Sequence, residues 1–158
     1  MTSLMQDTIF AFAAIFFAGL LAGTEFTVRF GIRGPLDLLE QSAHIIVRQG
    51  LVRTLRIIAP SFYFPALIFG VISLFTGDSG TPFVLRLSGI VMLVIWLGVT
   101  FGGTVPINSA ALEWRPEAPP NNFRSLVERW ERLAIFRVLA SVFAFIFFLI
   151  SQIIIIAS

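Results

Sequence analysis

Residues 57–76 read IIAPSFYFPALIFGVISLFT, twenty positions without a charged side chain. At about 1.5 Å per residue a helix of this length covers roughly 30 Å, the hydrocarbon thickness of a bilayer. Inside that layer every backbone polar group needs a partner within the segment, and a helix supplies one. Three further apolar runs accompany it, at residues 8–28, 87–112 and 138–158. The first is uncharged through Thr24 and reaches the required length only if Glu25 and Arg29 snorkel to the interface. The expected fold is all-α: an integral membrane four-helix bundle forming one domain over residues 1–158.

Composition supports that reading and narrows the chemistry. The chain has 57% hydrophobic and 13% charged residues, against about 25% charged in a soluble domain. All 11 basic residues are arginine, so lysine Schiff bases and Walker-type phosphate binding have no residue to use. There is no cysteine, hence no disulfide, thiolate nucleophile or thiolate ligand, and redox compartment is not readable. One histidine, His44, excludes a multi-His iron site within one chain. The early apolar run lacks a basic leader and a clean small-residue cleavage pattern, so it reads as a retained helix rather than a signal peptide.

Arginine placement gives the expected topology. Arg29, Arg33, Arg48, Arg53 and Arg56 precede the second span, and Arg115, Arg124, Arg129, Arg132 and Arg137 precede the fourth. Only Arg86 lies between spans two and three. Ten arginines against one put both long connections in the cytoplasm by the positive-inside rule, with both termini on the non-cytoplasmic side of the cell membrane. Neither connection reads as a linker. After Gly34-Pro35, apolar residues Leu36, Leu39, Ala43, Ile46, Val47 and Leu51 recur at helical spacing into span two. After Asn121-Asn122, Phe123, Leu126, Val127, Trp130, Leu133 and Ala134 do the same into span four. Spans two and four are therefore expected to extend into the cytoplasm and pack together there. Span three is interrupted at Gly102, Gly103 and Pro106, which predicts a kink or local unwinding.

The candidate site residues lie near this Arg-rich end. Glu25 and Arg29 are four apart, so they form either an intrahelical ion pair or a polar group facing a cavity. Glu40, His44 and Arg48 share a helix face, as a solvated stripe or with His44 as a general base or axial haem ligand. Asn108, beside the Pro106 break, either caps its own helix or points into a site between helices. Trp114, Trp130 and Arg137 read first as interface residues, with Arg137 also able to hold an anionic oxygen. Small residues at spacing four, Gly19 and Gly23, then Gly98 and Gly102, point to close helix packing. One apolar pocket with a polar rim is the economical arrangement of these groups.

Thr104-Val105-Pro106-Ile107-Asn108 with Leu112, followed by Trp130 and Arg137, resembles the anthrone-oxygenase-like family. These are small four-span membrane proteins long classed as a domain of unknown function. The order and rough length match over nearly the whole chain. The family carries an asparagine-valine-proline-x-asparagine box in span three, then tryptophan, asparagine and arginine at the start of span four. Asn108, Trp130 and Arg137 are the matching positions; Thr104 stands where the family often has asparagine, and Ala134 where a second asparagine or similar polar residue is common. The resemblance implies oxidation of an anthrone to an anthraquinone by O2, without an obvious cofactor.

The first expectation is thus a bundle that binds or oxidises an aromatic, quinone-like lipophile. Glu25 or His44 would be the base, Asn108 and Arg137 would hold oxygen atoms, and Arg48 and Trp130 would complete the ligand site. The alternative is a non-enzymatic accessory or structural subunit, as a homo-oligomer or within a membrane complex; a third reading is haem held by His44. The expected partners are the lipid bilayer and a lipophilic aromatic ligand, with no nucleic acid, no metal and no cofactor.

Overall fold

A computed structural model describes residues 2–77 and 79–157, with side-chain surroundings from Asp7 onward. Helix α1 (Thr2–Phe26) runs into a π-helical segment, Thr27–Ile32, and a short α2 (Arg33–Asp37). Helix α3 (Gln41–Thr76) and helix α4 (Thr81–Val99) follow. A second π-helical segment, Thr100–Thr104, leads into α5 (Val105–Glu113), and α6 (Phe123–Ala157) ends the fold. The four stretches Asp7–Asp37, Gln41–Thr76, Thr81–Glu113 and Phe123–Ala157 are each long and apolar enough to cross a membrane. The protein is a multi-pass membrane protein with an all-α four-helix bundle. At 36 and 35 residues, α3 and α6 are each roughly 50 Å long and stand well beyond a 30 Å hydrocarbon layer.

Helix α1 packs against α3 and α6, and α4 packs against α6 and α3, which closes a ring with the α3–α4 seam the sparsest. Small residues let the backbones approach: Ala14, Ala18, Ala59, Ala66, Ala140 and Ala144 are all buried in the core. The glycines that serve packing are not the expected Gly98 and Gly102, which have open space around them. Phe148 of α6 instead sits between Gly70 and Gly89, where an added Cβ would lie 2.8 Å from its ring. Gly19 contacts Phe145 as expected of a packing glycine, whereas Gly23 faces open space.

Two local departures from helical spacing matter for the site. The apolar pattern starting at Leu36 does not run unbroken into α3. Glu40 is extended, with ψ 152°, and the helix restarts at Gln41. Span three is indeed interrupted, and the interruption takes the form of the π-helical segment just before Pro106. Thr100 and Thr104 brace it by donating their hydroxyls to the carbonyls of Trp96 and Thr100, at 2.7 and 3.1 Å. Such wide turns re-aim side chains within a helix and occur often at functional sites.

The ends of the bundle are built differently. At the Arg-rich end of the bundle, Ile45, Ala111, Trp114, Phe123 and Val127 form a second small core. Gln49 caps the end of α5 there, donating to the carbonyls of Ala111 and Trp114 at 3.0 and 2.9 Å. The extensions of α3 and α6 thus meet through side chains. At the opposite end Arg86, which as a sequence looked like a connection residue, is 2% exposed inside α4. Its guanidinium holds Asp7 of α1 by two hydrogen bonds, of 3.0 and 2.9 Å, and also donates to the Ser73 carbonyl of α3. Thr76 donates to the same carboxylate at 3.1 Å. This buried cluster ties three helices together where lipid offers charges no solvation.

Candidate functional site

Between the helices at the Arg-rich end lies a cavity of ≈ 250 Å³. Glu25, His44, Arg48, Asn108, Trp130 and Arg137, the residues expected to act as bases or ligand contacts, all line it. Glu40, which shared the helical spacing of His44 and Arg48, does not; it is exposed at the break before α3. Apolar walls come from residues such as Leu55, Ala59, Phe64, Leu97 and Phe101.

The inner part is organised around Arg137. Its guanidinium forms a short ion pair with Glu25, pairs with no other carboxylate among the described residues, and donates to the Thr104 hydroxyl at 3.2 Å. It also lies 4.9 Å from the Trp96 ring, which stacks at 4.9 Å on Tyr63. The intrahelical Glu25–Arg29 pair is therefore not what forms. The π-helical turn starting at Thr27 changes the angular step between the two residues and leaves Glu25 facing α6. Thr104 keeps a hydrogen-bonding group toward the arginine.

The outer part is organised around Arg48, whose guanidinium packs 4.6 Å over the Trp130 ring. His44, one turn earlier on α3, packs edge-on to Phe123 with ring centroids 5.4 Å apart. Arg33 closes the mouth, bridging to Glu131 of α6 at 2.8 Å and to Asp37 at 3.5 Å. Arg48 has no carboxylate within ion-pair distance among the described residues, although Glu131 of α6 acts on it from the same part of the cavity.

Buried polar atoms without a hydrogen-bond partner among the described residues concentrate here: His44 Nε2, Arg48 Nε and Nη2, Tyr63 Oη, Asn108 Oδ1, Trp130 Nε1 and Arg137 Nε. His44, Arg48, Tyr63 and Arg137 are each at least nine-tenths buried. Leaving such groups unpaired costs about 1–3 kcal/mol each, and that cost is concentrated around this one cavity. Asn108 does not cap its own helix: α5 has no side-chain cap at its start.

Depth separates the two candidate bases. Trp130 and Arg137 are seven residues apart on α6, which is roughly 10 Å along the axis. His44 is a further turn beyond Arg48, about 6 Å. Glu25 and His44 therefore serve opposite ends of an elongated cavity and cannot act on one atom together. Sequence reading passed over Trp96 and Tyr63 as span residues, although Trp96, Thr100, Thr104 and Asn108 recur every four positions, a polar stripe in an otherwise apolar helix.

Residues 53–147, well over half of the chain, match a family model described as anthrone oxygenase. No curated protein and no solved structure matches. The matched stretch contains Trp96, Thr104, Asn108, Trp130 and Arg137; Glu25, His44 and Arg48 precede it.

Proposed function

The chain belongs to the anthrone oxygenase family, and on that premise we propose that its cavity binds a planar, weakly acidic aromatic lipophile and oxidises it with O2. The observation that carries this reading is the set of unpartnered atoms on nine-tenths-buried His44, Arg48, Tyr63 and Arg137 lining one apolar-walled space. Flat aromatic walls suit a fused ring system. A polar group near each end of a roughly 10 Å interval suits oxygen atoms on opposite edges of it.

His44 is the base in this proposal. Its Nε2 has no partner, whereas the Glu25 carboxylate is committed to Arg137. His44 takes a proton from the methylene carbon of the substrate, and the charge spreads onto the ring oxygen, which Arg48 holds. The carbanion passes one electron to O2, and the two radicals join in a carbon–oxygen bond. The peroxide oxygen takes up a proton, and loss of water leaves a carbonyl. In balance, one substrate methylene and one O2 give one ketone carbonyl and one water. Trp130 supports Arg48 from below, and Arg137 with Thr104 and Asn108 receives the far edge of the ligand.

Oxygen consumption by purified protein supplied with an anthrone tests this. One O2 should disappear per ketone formed. His44→Ala and Arg48→Leu should slow the reaction by about 10²-fold or more, with retained aromatic binding in the His44 variant. Equal rates in both variants and parent would remove these residues from the chemistry, and an absence of both turnover and binding would favour the accessory-subunit reading.

The Arg-rich end is cytoplasmic in the same proposal, from the ten-to-one asymmetry of arginines. Because the chain has no cysteine, single-cysteine variants report topology directly. A membrane-impermeant maleimide applied to intact cells should label Ser79→Cys and spare Ser125→Cys until the cells are opened. The reverse pattern would invert the assignment.

A further inference from the structure

On the outer surface between the end of α1 and α6, Arg29, Arg33, Glu128, Glu131, Arg132 and Ile135 line a groove of ≈ 280 Å³. Arg29 is its most telling member. It is 9% exposed, its Nε has no partner, and it has no carboxylate within ion-pair distance among the described residues. A buried guanidinium left in that state calls for an anion. Three guanidiniums face two carboxylates here, and Arg33 is already bridged to Glu131 at 2.8 Å. Arg33 is also shared with Asp37 at 3.5 Å, so the guanidiniums of the groove without an ion-pair partner among the described residues are Arg29 and Arg132, two donor groups that suit one phosphodiester.

Position and surroundings indicate where that phosphodiester comes from. Ile135 forms the apolar edge of the groove and begins a stripe with Leu139 and Phe143, which are 39%, 47% and 45% exposed. The spacing of four places them on one face of α6, running down the bundle from the arginines. Arg132 lies three residues, about 4.5 Å, above Ile135, the level of the headgroup layer over the first lipid-facing residue. An anion-binding groove set directly over a lipid-facing apolar stripe has the layout of an amphiphile.

We propose that this groove holds the phosphodiester of one glycerophospholipid, with Arg29 and Arg132 as its donors and an acyl chain lying along Ile135, Leu139 and Phe143. The site is separate from the reaction proposed above and stands whether or not that reaction occurs. Arg29, Arg33 and Glu131 also line the inner cavity, so the bound headgroup would form part of the wall between two adjoining spaces.

The full chain in detergent micelles, titrated with a short-chain phosphatidylglycerol and read by native mass spectrometry, tests the proposal. One lipid should bind per chain. Arg132→Gln, an exposed position with no structural partner at risk, should weaken binding about tenfold or more, and Arg29→Gln likewise. A hundredfold excess of inorganic phosphate should leave the bound lipid in place, and diacylglycerol of equal chain length should not bind. The proposal is overturned if no lipid is retained, if Arg132→Gln binds as the parent does, if inorganic phosphate displaces the lipid, or if diacylglycerol binds equally well.

Discussion

Replacing Arg86 by leucine should lower the folding stability of the bundle by about 3–5 kcal/mol, because it strands the Asp7 carboxylate in an apolar interior. Asp7 is 5% exposed and takes two hydrogen bonds from Arg86 and one from Thr76. Removing the cation leaves that group either charged without a partner or forced to bind a proton. The Ser73 carbonyl loses its donor at the same time. The double replacement Asp7→Leu/Arg86→Leu should recover most of the loss, since a buried pair exchanged for apolar residues is often close to neutral. Unfolding of the purified protein in mixed micelles with increasing SDS measures both variants. A single variant as stable as the parent would show that the pair contributes nothing to the fold.

Arg137→Leu should be as damaging, and it separates structure from function where the first experiment does not. The guanidinium joins Glu25 of α1, Thr104 of the π-helical segment and the Trp96 ring in one buried cluster. Losing it leaves Glu25 uncompensated, at about 3–5 kcal/mol. Glu25→Leu/Arg137→Leu should restore the SDS midpoint to near the parent. Ligand affinity should not return with it, because the unpartnered Arg137 Nε at the inner end of the cavity is gone; a loss of about tenfold or more is expected. If the double variant binds an anthrone as tightly as the parent, the cluster is a structural clamp and the ligand lies wholly at the outer end with Arg48.

The candidate residues were legible in the sequence because lipid makes polar residues conspicuous. Glu25, Asn108 and Arg137 stand out against spans in which a charge or amide is costly. What they do with one another was not legible. Glu25 and Arg29 at spacing four suggest an intrahelical pair, and a single π-helical turn cancels it by redirecting Glu25 across the bundle to a partner 112 positions away. Glu40 shares the spacing of His44 and Arg48, yet the helix is broken at its own backbone, which removes it from their face. Arg86, counted as a marker of the connection between spans, lies buried beside Asp7. Tyr63 carried no local signal, since an aromatic residue in a span looks the same whether it faces lipid or a cavity, whereas Trp96 was marked only by its spacing of four from Thr100, Thr104 and Asn108.

The apolar runs of residues 57–76 and their three counterparts determined by themselves that this protein crosses a membrane four times as helices. Run length against bilayer thickness and the obligatory pairing of backbone groups depend on composition alone, and no neighbour can change them. Which side chains converge was decided only by the tertiary structure. That outcome depends on helix rotation, which two π-helical turns reset and which the close seats of Phe148 against Gly70 and Gly89 hold in place. A rotation of one helix by a fraction of a turn alters no local preference in the chain, but it would carry Arg137 away from Glu25 and Arg48 away from Trp130.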